Sequence, residues 1–207
     1  VSARYDFDKG YYVQGRVARD NYTDSYVNVV PTGTAYRQLG SMQQRNTEFV
    51  DMNADLLVGG AFDIGDFNIA PVLGGAYRNT TTLTTNNAGN DFAVPFVYNV
   101  MNLKNKNLSY TDDRLEVQSA FANVEFSFRD YLFLTTSLRS DWFSSLATPG
   151  QNNKLNVVYP SLNSSFIFTE LWKPSFFNFG KVRLGYAQVG AATNPYQTLL
   201  TYSLLSE

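Results

Sequence analysis

The chain alternates from its first residue. Val1, Ala3, Tyr5 and Phe7 fall on one side of an extended backbone, and Ser2, Arg4, Asp6 and Asp8 on the other. A period of two marks a strand with one apolar and one polar face. A tight Asp8-Lys9-Gly10 turn is expected to return the chain as a second strand. There Tyr11, Val13, Gly15 and Val17 alternate with Tyr12, Gln14, Arg16, Ala18 and Asp20, completing a hairpin.

The pattern recurs over residues 48–64, with Val50, Met52, Ala54, Leu56, Val58, Gly60, Phe62 and Ile64 against Asp51, Asn53, Asp55 and Asp63. Gly65-Asp66 reverses the chain into Phe67, Ile69, Pro71, Leu73, Gly75 and Tyr77, opposite Asn68, Ala70, Val72, Gly74, Ala76 and Arg78. In 115–128 the apolar face is Ala120, Ala122, Val124, Phe126 and Phe128, with Asn123, Glu125 and Ser127 opposite. After Arg129-Asp130 the series Leu132, Leu134, Thr136, Leu138 and Trp142 opposes Thr135, Ser137, Arg139 and Asp141. Residues 157–170 follow less cleanly, with Val158, Leu162, Phe166 and Phe168 against Asn163, Ser165 and Thr169. A last strand sets Val182, Leu184 and Tyr186 against Lys181 and Arg183 before Gln188 breaks the phase. The count is about eight strands.

The connections alternate in length. Turns near 8–10, 65–66 and 129–130 are tight, and 172–180 is a medium connection on the same side. Segments 21–46, 80–114 and 143–156 are polar, rich in Asn, Thr and Gly, and read as long loops. Short turns on one side and long loops on the other is the layout of an outer-membrane barrel. The spacing agrees: Phe67 and Tyr77 are ten positions apart on the apolar face, ~33 Å of strand at ~3.3 Å per residue, or ~25 Å of height at a tilt of ~40°. That is the apolar band between two aromatic girdles. Runs of this length also exceed the ~5–6 residues usual for globular strands. The expected class is therefore all-β, built of antiparallel transmembrane barrel strands. The alternatives on pattern alone are a soluble or surface-attached carbohydrate-binding β-sandwich and a small stand-alone outer-membrane barrel.

Composition narrows the function. The 207 residues carry 16 Lys and Arg against 18 Asp and Glu, no Cys and no His, with 15% aromatic and 16% charged residues. Without Cys or His there is no Ser-His-Asp or Cys-His nucleophile, no histidine switch, no ordinary zinc or copper site and no disulfide framework. A net charge of −2 lacks the basic excess that neutralises phosphates, so nucleic acid is not an expected partner. No run approaches the ~18 apolar residues of a membrane helix, and the N-terminal Val-Ser-Ala-Arg-Tyr-Asp-Phe has no signal-peptide organisation. The reading is a non-enzyme without cofactor or metal.

The remaining motifs have structural explanations. Asp51, Asp55 and Asp63 share one strand's polar face, where a wet lumen keeps carboxylates charged, and Asp112-Asp113 lacks the spacing of a calcium loop. Gly59-Gly60 and Gly74-Gly75 precede no helix and so are not phosphate cradles; they fit strands that bend or lie close to something bulky. The loop aromatics Tyr98, Tyr110 and Tyr196 are expected to pack loops rather than stack on sugars.

Three segments resemble the SusC/RagA-like family of TonB-dependent outer-membrane transporters. Phe121-Ala-Asn-Val-Glu-Phe-Ser-Phe-Arg-Asp-Tyr-Leu-Phe-Leu-Thr-Thr-Ser-Leu-Arg-Ser-Asp141 is similar to the family's hairpin returning as "Leu-Thr-x-Ser-Leu-Arg-x-Asp". Tyr159-Pro-Ser-Leu-Asn-Ser-Ser-Phe-Ile-Phe-Thr-Glu170 resembles its "Phe-Pro-Ser-Val-Ser" strand, and Lys181-Val-Arg-Leu-Gly-Tyr-Ala-Gln-Val-Gly190 its "Leu-Lys-x-Arg-x-Ser-Tyr-Gly" strand. The sequence departs from the pattern at Trp142-Phe-Ser-Ser-Leu-Ala147 and at Ala191. The resemblance covers about 120–196 and implies an energised importer. Residues 1–207 would be part of a larger, 22-stranded barrel in the outer membrane of a Gram-negative cell, with the plug domain and the TonB-contacting region lying outside this chain. The implied partners are a SusD-like surface lipoprotein, TonB, the lipid bilayer and an oligosaccharide or peptide substrate. Arg139, Asp141, Arg183, Asn123 and Glu125 are then the candidate lumen-facing residues, with Arg139 and Asp141 expected as a salt-bridged wall position.

Overall fold

The computed structural model describes residues 1–7, 10–148, 150, 154–172 and 178–198. The expected Asp8-Lys9 turn, the centre of the 172–180 connection and part of 143–156 lie outside the described residues. Nine strands form one sheet: β1 (Ser2–Asp6), β2 (Tyr11–Val30), β3 (Ser41–Gly60), β4 (Phe62–Ile64), β5 (Phe67–Phe92), β6 (Leu103–Phe128), β7 (Leu132–Phe143), β8 (Asn156–Ile167) and β9 (Lys181–Ala187). Their order is β1-β2-β3-β5-β6-β7-β8-β9, and the short β4 pairs with β5 across the Gly65-Asp66 turn. Every neighbour on the main path is the next long strand in sequence. That is an up-and-down meander, and a single sheet rather than the two facing sheets of a sandwich.

The hairpins arise where the alternation places them. β6 and β7 meet through Phe128-Arg129-Asp130-Tyr131, with φ of 44° at Arg129 and 57° at Asp130 and a 3.2 Å bond from the Tyr131 N–H to the Phe128 carbonyl. Two successive left-handed residues give the primed turn whose twist matches the strands it joins. Neither is glycine, and neighbouring groups hold the conformation. The Arg129 N–H donates to the Asp66 carbonyl at 3.0 Å, and its guanidinium pairs with the Asp66 carboxylate at 2.6 Å.

Two expectations are corrected. The polar segments 21–46 and 80–114 are largely strand: β2 runs to Val30, β3 begins at Ser41, β5 runs to Phe92 and β6 begins at Leu103. Only 31–40 and 93–102 connect them. Alternation failed as a signal there because both faces are polar, while Thr, Val and Tyr keep strand propensity. Side-chain pairs across strands support the ladder: Gln43 with Asn86 at 2.9 Å, Thr47 with Thr84 at 3.3 Å and Ser25 with Asn46 at 2.6 Å. Likewise Tyr110 and Asp112-Asp113 lie in β6 rather than in a loop.

The chain divides into two compact units. The first comprises Val1–Ala18, Asn53–Arg78 and Leu115–Glu207, and the second Arg19–Met52 and Asn79–Arg114. The first holds the strand segments with apolar alternation. The second holds two long polar hairpins.

Candidate functional site

In the first unit, the register of β6 to β9 sorts every side chain onto one of two faces. One set of ladders reads Ser119–Asp141–Val157, Phe121–Arg139–Tyr159, Asn123–Ser137–Ser161–Ala187, Glu125–Thr135–Asn163–Gly185 and Ser127–Phe133–Ser165–Arg183. The other reads Ala122–Leu138–Pro160, Val124–Thr136–Leu162–Tyr186, Phe126–Leu134–Ser164–Leu184 and Phe128–Leu132–Phe166–Val182. A polar and an apolar face thus persist across four strands.

The apolar face is uncovered. Leu56, Leu73, Leu138 and Leu184 are more than half exposed, and among the described residues only Phe92 and Leu103, both in the second unit, are buried apolar side chains. Burying a Leu or Val is worth ~1.5–3 kcal/mol, whereas a whole domain is stable by only ~5–15 kcal/mol. A handful of such side chains left in water forgoes a stabilisation as large as that of a whole domain. An apolar solvent removes the conflict. Hollows of about 780 and 580 Å³ open on this face, where Ala3, Gly15, Ala54, Gly75 and Ala120 leave room between Leu56, Tyr77, Trp142 and Leu138. Their lining is mostly apolar, with Arg16, Asp55, Gln118 and Ser119 also bordering the larger one.

Aromatic rings gather at the tight-turn end of this face. Phe67 packs on Phe126 and Phe128 at 5.3 and 4.6 Å, Tyr131 on Phe128 and Phe166 at 5.4 and 6.0 Å, and Tyr11 on Phe62 at 5.0 Å. Tyr77 and Trp142 stand ten residues from Phe67 and Leu132 along their strands. Their rings bound an apolar stretch of ~33 Å of strand at ~3.3 Å per residue.

The polar face carries the chemistry. Arg139 donates through Nε to Asp141 Oδ1 at 2.7 Å and through a terminal nitrogen to Ser119 Oγ at 3.0 Å, with its guanidinium 5.7 Å from the Phe121 ring centre. Asp141 is buried while Arg139 is about half exposed. The pair is therefore a wall fixture with one open side. Arg16 and Asp55 make a second bridge at 2.8 Å. Exposed pairs of this kind contribute ~0–1 kcal/mol each, so they orient charge more than they stabilise the sheet.

Asn123 and Glu125 line a hollow of about 300 Å³ with Arg4, Tyr12, Gly60, Ala70 and Val72. Arg4 lies 3.8 Å from the centre of the Tyr12 ring and bridges Asp6 at 2.8 Å. The outer end of the Tyr12 ring lies against Gly59, where a Cβ would fall 2.5 Å from it, so a larger residue there would displace the ring. Asn123 Oδ1 is buried and accepts no hydrogen bond from the described residues. The structure thus brings together Arg139 with Asp141, and Asn123 with Glu125. Arg183 stands apart, beside Ser165 on β9. Arg4 and Tyr12 were not among the expected site residues, although alternation had set both on polar faces. Only the assembled β1, β2, β3, β5 and β6 show that they share a hollow with Asn123.

The acidic residues of β3 and β4 are engaged in separate contacts. Thr80 Oγ1 donates to Asp51 at 2.8 Å, Arg16 pairs with Asp55, and Asn68 Nδ2 donates to Asp63 at 2.7 Å. In the second unit, Asp112 pairs with Arg114 at 2.8 Å; hydrogen bonding to that guanidinium holds its carboxyl below the usual carboxylate range. Tyr98 packs on Phe92 at 5.3 Å, the loop-packing role expected of it.

A meander of long strands with an uncovered apolar face, an aromatic border and a polar face of ion pairs is the wall of a transmembrane β-barrel. Solved structures share it: "Structure of the RagAB peptide transporter" (TM-score 0.77), and the RagAB peptide importer in its "open-open" (0.78) and "closed-closed" (0.73) states. Each is 13% identical, and each match covers 90% of this chain and 21% of the matched one. The chain thus spans about a fifth of the length of the structures it matches. The likeness bears out the fold implied by the sequence resemblance, and the matched proteins are transporters. No protein-family model matches the sequence, and no curated protein does.

Proposed function

We propose that the chain is barrel wall from an outer-membrane, TonB-dependent importer of peptides or oligosaccharides, working with a SusD-like surface lipoprotein. One observation carries the reading: a single sheet whose uncovered face is apolar and whose opposite face is polar, in a fold shared with transporter barrels. Arg139, Asp141, Asn123, Glu125 and Arg183 belong to the lumen side in this reading, where fixed charges and amides meet the plug or the passing substrate. The plug and the TonB contact are contributed by parts of the intact protein other than these 207 residues. The wall performs no bond chemistry. It excludes lipid and presents a wet interior.

The test is uptake by intact cells. Labelled peptides and oligosaccharides should accumulate only when the gene is present and the proton-motive force is intact, and the polypeptide in outer membranes should run well above 23.2 kDa. Unchanged accumulation of both substrate classes after deletion of the gene would overturn the reading.

A further inference from the structure

The hollow of about 300 Å³ on the polar face of the first unit has two unlike walls. Arg4 and Tyr12 stand on the β1–β2 side, Asn123 and Glu125 on the β6 side, and the small Ala70 and Val72 of β5 lie between them. Backbone ties its rim at the tight-turn end. The Ala61 N–H donates to the Gly10 carbonyl at 3.2 Å. Gly10 has a φ of +77°, and a Cβ there would fall 3.0 Å from the Ala61 carbonyl oxygen, so the two turns meet this closely over glycine. The recess is part of the folded wall.

Its charge is one-sided. Among the described lining residues Arg4 is the only cation, and it is already engaged: its Nε donates to Asp6 at 2.8 Å and its guanidinium lies 3.8 Å from the centre of the Tyr12 ring. Opposite, Glu125 makes no hydrogen bond or ion pair with a described residue. Asn123 Oδ1 is a buried acceptor without a donor, which costs stability until one arrives. A carboxylate and an amide oxygen left over together call for a positive group with several N–H donors. Guanidinium and ammonium are the side-chain groups that donate only. A metal ion does not fit, since calcium takes ~6–8 oxygens and the described residues hold no cluster of three metal-ligating side chains. A sugar ring is poorly served too, because Arg4 already covers one face of Tyr12. The volume is at the small end of the ~300–1,000 Å³ usual for ligand sites.

We infer that this hollow is a subsite for the cationic side chain, arginine or lysine, of a peptide substrate. The inference rests on the importer reading and narrows its substrate class from oligosaccharide or peptide to basic peptide. Glu125 supplies the charge, and its two oxygens match the fork of a guanidinium. Asn123 supplies the second acceptor, for a turn of its amide about the loosely held terminal torsion presents Oδ1 to the hollow. The Arg4–Asp6 pair keeps Arg4 from closing on Glu125 and filling the site from within.

The test uses the intact transporter purified in detergent. A pool of N-acetylated peptides of mixed sequence, each with one arginine or one citrulline at the same position, is passed over it, and retained peptides are counted by mass spectrometry. Citrulline keeps the shape and removes the charge. Arginine peptides should be enriched at least tenfold over their citrulline counterparts. Glu125→Gln should bring the ratio near one and Asn123→Leu should lower it several-fold, with the heat-modifiable migration of the folded barrel unchanged. Glu116→Gln, a carboxylate on the opposite face of β6, should keep the wild-type ratio. A ratio that Glu125→Gln leaves unchanged, or carbodiimide coupling of Glu125 to a lysine of the transporter's own chain, overturns the subsite. Cells that take up oligosaccharides while the purified protein retains no peptide also overturn it and leave the importer reading standing. Wild-type cells that take up neither class overturn that reading, and the subsite with it.

Discussion

Strands β2, β3, β5 and β6 each contribute to both units, yet the two units obey different rules. In the first, apolar and polar residues largely alternate, many large apolar side chains are exposed, and the buried side chains among the described residues are polar, such as Ser119 and Asp141. In the second, both strand faces carry Thr, Asn, Gln and Asp, and the buried side chains include Phe92 and Leu103. One backbone geometry serves two solvents. Where one face meets hydrocarbon, patterning is severe, because each misplaced charge is costly. In the second unit, where both faces are polar, cross-strand hydrogen bonds such as Gln43 to Asn86 support the ladder, and the buried apolar side chains are Phe92 and Leu103.

The contrast is broken most directly by charge. Leu73→Arg or Leu134→Arg should cost ~2–4 kcal/mol and block assembly, whereas Leu108→Arg in the second unit should stay within ~0.5 kcal/mol. The fraction of protein reaching the heat-modifiable barrel form in outer membranes measures both. Equal yields for Leu73→Arg and Leu108→Arg would erase the distinction between the units. Next in size, Gly40→Ala forces a Cβ toward the Val30 carbonyl at 2.6 Å and into the Phe92 ring, at ~1–3 kcal/mol of local strain. Hydrogen exchange should quicken in 31–40 and 92–103 and remain unchanged in β7 and β8.

Within the wall, the Arg139–Asp141 pair should respond unequally. Arg139→Gln leaves a buried carboxylate without its charged partner and should cost ~1–3 kcal/mol, while Asp141→Asn leaves an already half-exposed guanidinium and should cost less than ~1 kcal/mol. Urea titration in lipid vesicles distinguishes the two, and the reverse order would show that the pair faces water freely. The smallest effect is that of acid on Asp112. Its folded carboxyl titrates below the ordinary value, so its pairing with Arg114 is fully present above about pH 4 and is lost as pH falls through the lower, folded-state value. Exchange at residues 110–115 should rise in that acid window, and Asp112→Asn should abolish the rise.

These differences also explain how much could be read from the sequence. The hairpins around Gly65-Asp66 and Arg129-Asp130 were legible because Leu73, Phe126 and Leu134 must all point one way. Strand from Asn79 to Phe92 was not, since Thr80-Thr81-Thr82 satisfies either face and resembles a loop entry. Arg139 and Asp141 were legible as a pair because residues two apart on a strand share a face. The hollow shared by Arg4, Tyr12, Asn123 and Glu125 was not, because it joins strands more than a hundred residues apart. Alternation assigns a side chain to a face without giving its height on the wall.

The strand order has a consequence for how such walls change over time. In a meander every long strand bonds only to the strands before and after it in the chain. A duplicated or deleted hairpin creates one new seam and leaves every other remaining seam in register, with each apolar side still turned the same way. Circumference is therefore a quantity that gene duplication can adjust in steps of two strands, without redesigning the pieces already in place.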